Sequence, residues 1–183
     1  NQFGTGTNLY TYQPAPTVSS VSPIAGALGG GTAITLTGTN FLSPATVTVG
    51  GVTCTSPTVV NSTTITCTTG AHAAATTSII VTNWDNQTGT GTNLYTYQPA
   101  PTVTSVSPNG GLPAGGTSIT ITGTNFLSPA TVTVGGVTCT SPTVVNSTTI
   151  TCTTGAHAAA TTSIIVTNWD NQTGTGTNLY TYR

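Results

Sequence analysis

Displaced by 85 residues, the chain nearly superimposes on itself: residues 37–85 recur letter for letter as residues 122–170. Over the 82 positions from Thr17 to Gln98, set against Thr102 to Arg183, nine differ. Six of the nine fall between positions 24 and 33; the others are Ser19/Thr104, Leu36/Ile121 and Gln98/Arg183. Whatever one copy folds into, the other must fold into as well, so the duplication constrains the architecture before any local signal is read. Residues 1–13 match residues 86–98 with only Phe3 for Thr88. The organisation expected is therefore an orphan copy of the repeat's last strand at 1–13, one repeat at 14–98 and a second at 99–183. The orphan segment has two readings. It ends a preceding repeat of a longer array, the preferred one, or it is a donor strand that completes a neighbouring subunit. In the second case Phe3, Leu9, Tyr10 and Tyr12 form the inter-subunit strand.

Within a repeat, short alternating runs separated by turn residues signal an all-β fold. Residues 17–21 carry Val18 and Val21, and the Pro- and Gly-rich stretch 22–31 reads as a turn region. Residues 32–38 place Ile34 and Leu36 on one face, and residues 45–49 do the same with Val47 and Val49. Gly50-Gly51 is a two-residue hairpin signal, because glycine accepts the positive φ of the primed turns. Residues 52–55 and 63–68 follow, then 77–83, whose Ile79-Ile80-Val81 run reads as a central strand, and 92–97 with Tyr95 and Tyr97 on one face. About seven strands per repeat are expected. The short Ala-rich stretch 71–75 reads as a loop or a single turn.

Cys54 and Cys67 stand 13 apart, as do Cys139 and Cys152, and each shares a face with core aliphatics. Zinc would want four ligands at close spacings, which are absent, so one disulfide per repeat is expected. Such bonds persist in oxidising surroundings, which places the chain outside the cytoplasm.

Composition excludes much else. Asp85, Asp170 and Arg183 are the whole charge inventory, whereas 48 residues are Thr and 14 are Ser. A nucleic-acid partner calls for a basic footprint that one Arg cannot supply. No apolar run reaches the ~18 residues of a membrane span. Acid–base catalysis needs converging carboxylates, His or Lys. His72 and His157 have no carboxylate or Cys beside them in sequence and read as solvated loop residues. Asp85 and Asp170 read as Asx-turn residues rather than calcium ligands, since calcium wants several oxygen ligands. No catalytic residue, metal site or cofactor is expected. Trp84 and Trp169 read as residues that cap the core or anchor contacts between subunits, with sugar stacking as the alternative. Asn61, Asn86, Asn146 and Asn171 head glycosylation sequons, which arise easily in so Thr-rich a chain.

Taken together, the SVSPNG opening at 105–110, GGT at 115–117, GTNF at 123–126, VGGVTC at 134–139 and the closing Tyr180 and Tyr182 resemble the IPT/TIG domain. The first repeat keeps these except at the opening, where Ile24-Ala25 replaces Asn109-Gly110. The resemblance implies an immunoglobulin-like β-sandwich, twice in tandem, of the kind found in cell-surface proteins. It implies a spacer or binding module without catalytic residues. DNA-contacting members use basic loops, which this chain lacks.

Near-absence of charge then suggests a role. Charged residues commonly keep soluble domains apart and guard exposed strand edges; at 2% charged residues this chain has no such guard. A protein of this kind is expected to live assembled with its own copies, as an extracellular filament, stalk or sheath. The Pro-containing linker 98–101 favours a semi-rigid rod. The rival expectation is a cell-surface adhesin that binds glycans or neighbouring surfaces through loops and Trp84 or Trp169.

Overall fold

The structure, a computed structural model, describes residues 6–7 and 11–183. It contains two compact units, Asn1–Tyr97 and Gln98–Arg183. In the first unit the strands are β1 (Thr17–Ser22), β2 (Ala25–Ala27), β3 (Ala33–Thr39), β4 (Ala45–Val49), β5 (Val52–Thr53), β6 (Thr55–Asn61), β7 (Thr64–Thr68), β8 (Ala75–Asn83) and β9 (Thr88–Gln98). They form a four-stranded sheet in the order β1-β3-β7-β6 and a five-stranded sheet in the order β2-β9-β8-β4-β5. The second unit repeats this with β10 (Thr102–Ser107), β11 (Gly110–Gly111), β12 (Ser118–Thr124), β13 (Ala130–Val134), β14 (Val137–Thr138), β15 (Thr140–Asn146), β16 (Thr149–Thr153), β17 (Ala160–Asn168) and β18 (Thr173–Tyr182). Its sheets run β10-β12-β16-β15 and β11-β18-β17-β13-β14. Each unit is a β-sandwich, and the fold is all-β.

Alternation builds each core. Ile34, Leu36, Val47, Val49, Ile65, Ile79 and Val81 point between the sheets of the first unit with Tyr95, Tyr97 and Phe41. The strand carrying Ile79-Ile80-Val81 is central in its sheet, but of these three only Ile79 and Val81 are buried. Ile80 lies on the outer face. Val18 and Val21, three apart, are both buried because the β1–β3 register shifts between Val18 and Ser20; a bulge resets the parity. Gly50 and Gly51, at φ 61° and 81°, close the β4–β5 hairpin as a primed turn. Gly38 follows Leu36 on the inward face, where an added Cβ would run into the Thr17 carbonyl and the Phe41 ring.

Two strands are not legible from the alternation. β2 is three residues long and is held by its backbone, with the Thr96 amide donating to the Ile24 carbonyl at 2.9 Å. β6 contains Pro57, which argues against a central strand; it lies at a sheet edge, where a missing N–H is tolerated.

The edges correct the expectation of an unguarded sheet. On β6, Pro57 follows Ser56 at φ 51°, and the pairing with β7 shifts register twice. β1 is bulged, β2 has three residues and β5 has two. Proline, bulges and short edges do the work that charge does elsewhere.

Cys54 and Cys67 form a disulfide. Cys67 lies on β7 of one sheet, and the Cys54 amide is bonded to the Val47 carbonyl of β4 in the other, so the bond ties the two sheets together. Cys139 and Cys152 occupy the equivalent buried positions as thiols. Cys139 is drawn below its ordinary value by its hydrogen bond with Cys152, while that bond and burial push Cys152 up.

Candidate functional site

The β8–β9 connection holds the residues singled out for chemistry or contact. Asn83, itself buried, takes the Gln87 carbonyl on its backbone amide and gives its own carbonyl to the Asn86 amide, both at 3.0 Å. Asn86 closes the turn at φ 63°, a conformation asparagine tolerates. The Asn83 side chain accepts from the Leu42 amide at 3.0 Å and donates to the Asn40 carbonyl at 2.8 Å. It thereby pins the turn to the loop carrying Phe41, a role that sequence reading missed.

Asp85 forms the expected Asx turn, its Oδ1 accepting from the Gln87 amide at 3.1 Å. Its Oδ2 accepts from Gln87 Nε2 at 2.9 Å, and the same Nε2 donates to the Gln13 carbonyl at 2.7 Å. Gln87 thus clamps the segment entering the repeat, 74 residues earlier. In the second unit Gln172 makes the same bonds, to Asp170 Oδ1 and Oδ2 and to the Gln98 carbonyl. No sequence signal marks this clamp beyond the Asp-x-Gln pattern, because its other end lies far away along the chain.

Trp84 is 61% exposed, whereas Trp169 is half-buried. Beside Trp84 lies a cleft of about 590 Å³ lined by residues 11–13 and 84–87. Tyr12 is on its rim; Phe3, Leu9 and Tyr10, the other members of the expected inter-subunit strand, lie outside the described residues.

The histidines are not simply solvated. His72 stacks on Tyr97 at 4.9 Å and His157 on Tyr182 at 5.0 Å. His72 Nδ1 is 2.6 Å from the Ala73 carbonyl, which can only accept, so Nδ1 carries the proton. Under each imidazole, burial and then the neighbouring tyrosine raise the phenol of Tyr97 and of Tyr182 above 10.0. The phenol is the favoured form in the folded state, so this stability is intact below pH ~10 and is lost as pH rises beyond it. In a circular-dichroism titration, loss of β-structure should accompany tyrosinate absorbance above that pH. Ionisation of all tyrosines with full retention of the fold would contradict this.

Among the described residues no three His, Cys, Asp or Glu side chains come together as a metal site, and no helix is long and apolar enough to cross a membrane.

The two sandwiches, each with a clamped entry segment, define a tandem array of immunoglobulin-like modules. The IPT/TIG domain profile matches residues 16–97 and 101–182, and the chain belongs to that family. Its fold is similar to the extracellular region of plexin A4. Against domains 1 to 10 of that region the identity is 25% and the TM-score 0.58, with 92% of this chain and 15% of that one covered. Against domains 1 to 8 the values are 26%, 0.54, 92% and 18%. The chain thus spans less than a fifth of the plexin chains it matches. A surface glycan-binding protein from a xyloglucan utilisation locus of Bacteroides uniformis aligns at 22% identity and a TM-score of 0.42, over 92% of this chain and 50% of that one. No curated protein sequence matches the chain.

Proposed function

We propose that this chain is a structural, non-catalytic part of an extracellular filament, stalk or sheath in which its sandwiches associate with further copies of themselves. The observation that carries this reading is the outer face of the β1-β3-β7-β6 sheet. Register places Ser22, Thr35, Thr66 and Thr58 in one row across the strands, and Ser20, Thr37 and Thr64 in the next. Thr17 and Thr39 share a hydrogen bond of 2.8 Å at the end of the sheet. The second unit repeats the first row as Ser107, Thr120, Thr151 and Thr143. These faces offer hydroxyls that satisfy one another or water, and no charge that would repel an identical face. Since the strand edges are guarded, sheet faces are the contacts proposed between copies, with strand addition by residues 1–13 as the alternative route. The sheet-linking disulfide and the likeness to an extracellular region support a location outside the cell.

Electron microscopy of the concentrated protein should find ordered polymers. Deleting residues 1–13 separates the routes to them: loss of the polymer supports donor-strand addition, and its persistence supports a continuous array.

A second reading, a cell-surface adhesin, draws on the exposed Trp84 and its cleft. There the sandwiches would act as a scaffold that presents the cleft.

A further inference from the structure

We propose that the Trp84 cleft binds a neutral, hydroxyl-rich saccharide; this names the ligand class for the adhesive reading and rests on it. Trp84, 61% exposed, shares its cleft with Tyr12, 87% exposed, so two large aromatic side chains lie at one surface site. The cleft, about 590 Å³, falls in the range of small-ligand sites, which run from about 300 to 1,000 Å³. That is room for sugar rings and far more than a lone methylammonium group or a bare ion fills.

The polar groups narrow the class. Gln87 commits its amide N–H groups to Asp85 Oδ2 and the Gln13 carbonyl, so it can offer a ligand only its carbonyl oxygen. Asp85 adds a carboxylate whose position those same bonds fix. The cleft therefore sets an indole beside these acceptors and beside the neutral side chains of Thr11, Gln13 and Asn86, which both donate and accept, so a matching ligand brings hydroxyls and an apolar ring face. No lining residue is cationic. Uronates, sialosides and phosphates would meet the Asp85 charge with nothing to offset it. A pyranose fits, with its C–H face on the indole and its hydroxyls on Asp85 and Gln87.

The test is affinity electrophoresis of the full chain in gels containing hydroxyethyl cellulose, laminarin, arabinoxylan or galactomannan, with polygalacturonate as the anionic counterpart. Retardation is expected on at least one neutral polymer and not on polygalacturonate. Trp84→Ala should weaken it by roughly tenfold or more, with Trp84→Phe in between. Because Trp84 is exposed, both variants should keep the parent melting temperature, which shows that they are folded. The assignment is overturned if no neutral polymer retards the folded protein. It is also overturned if Trp84→Ala is retarded like the parent, or if polygalacturonate or a choline matrix alone retains the protein. Cell binding that is lost in Trp84→Ala, with no glycan retardation, would overturn the saccharide class and leave the adhesive reading standing. Absence of both would remove the two together.

Discussion

Tyr95→Ala is expected to destabilise the first repeat by about 3–5 kcal/mol, the cost of emptying a large aromatic site in a packed core. Tyr95 has no exposed surface and meets Tyr97 edge to face at 5.0 Å. Such a loss rivals the whole stability of a small domain, about 5–15 kcal/mol. Calorimetry should show one transition falling by more than about 10 °C. The second repeat, whose core is built from its own residues, should keep its transition. Tyr95→Phe separates packing from polarity. The buried hydroxyls of Tyr95 and Tyr180 have no hydrogen-bond partner among the described residues. Removing one should therefore be neutral or stabilising by up to ~1 kcal/mol. A loss from Tyr95→Phe as large as that from Tyr95→Ala would show that the hydroxyl, not the ring, holds the site.

Breaking the Cys54–Cys67 bond should cost about 3 kcal/mol, the chain-entropy value for a loop of this size. Its position argues that the measured cost will not fall far below that, since it joins a strand of one sheet to a backbone stretch anchored on the other. Cys139 and Cys152 sit in an identical sequence with identical strand pairing, buried and hydrogen-bonded to each other. They are expected to be oxidised in protein recovered from an oxidising compartment. Thiol titration of the unfolded, unreduced chain should then find no free thiol, and reduction should lower both transitions. Two titratable thiols per chain would contradict the second bond.

The sandwich itself is legible because its core obeys a period of two: Ile34 with Leu36, Val47 with Val49, and Ile65 with Cys67 need only local reading. Gly50-Gly51 marks its hairpin because few residues other than glycine accept its backbone. The Asx turn at Asp85 is equally local. What escapes the sequence depends on distant partners. β6 hides behind Pro57 because its edge position, which excuses the proline, is a property of the sheet. The stacking of His72 on Tyr97, the Asn83 brace and the reach of Gln87 to Gln13 join residues 25 to 74 positions apart, and no spacing rule connects them. Edge protection is not legible in composition because charge is only one means of achieving it, and bulges cannot be counted from a residue inventory.

The central claim is that hydroxyl-covered, uncharged sandwiches associate with their own kind. Sedimentation of the unglycosylated 18.2 kDa chain over a concentration series reaching the millimolar range tests this most directly. The mass should rise with concentration above that of one chain. A mass that stays at 18.2 kDa throughout would contradict it.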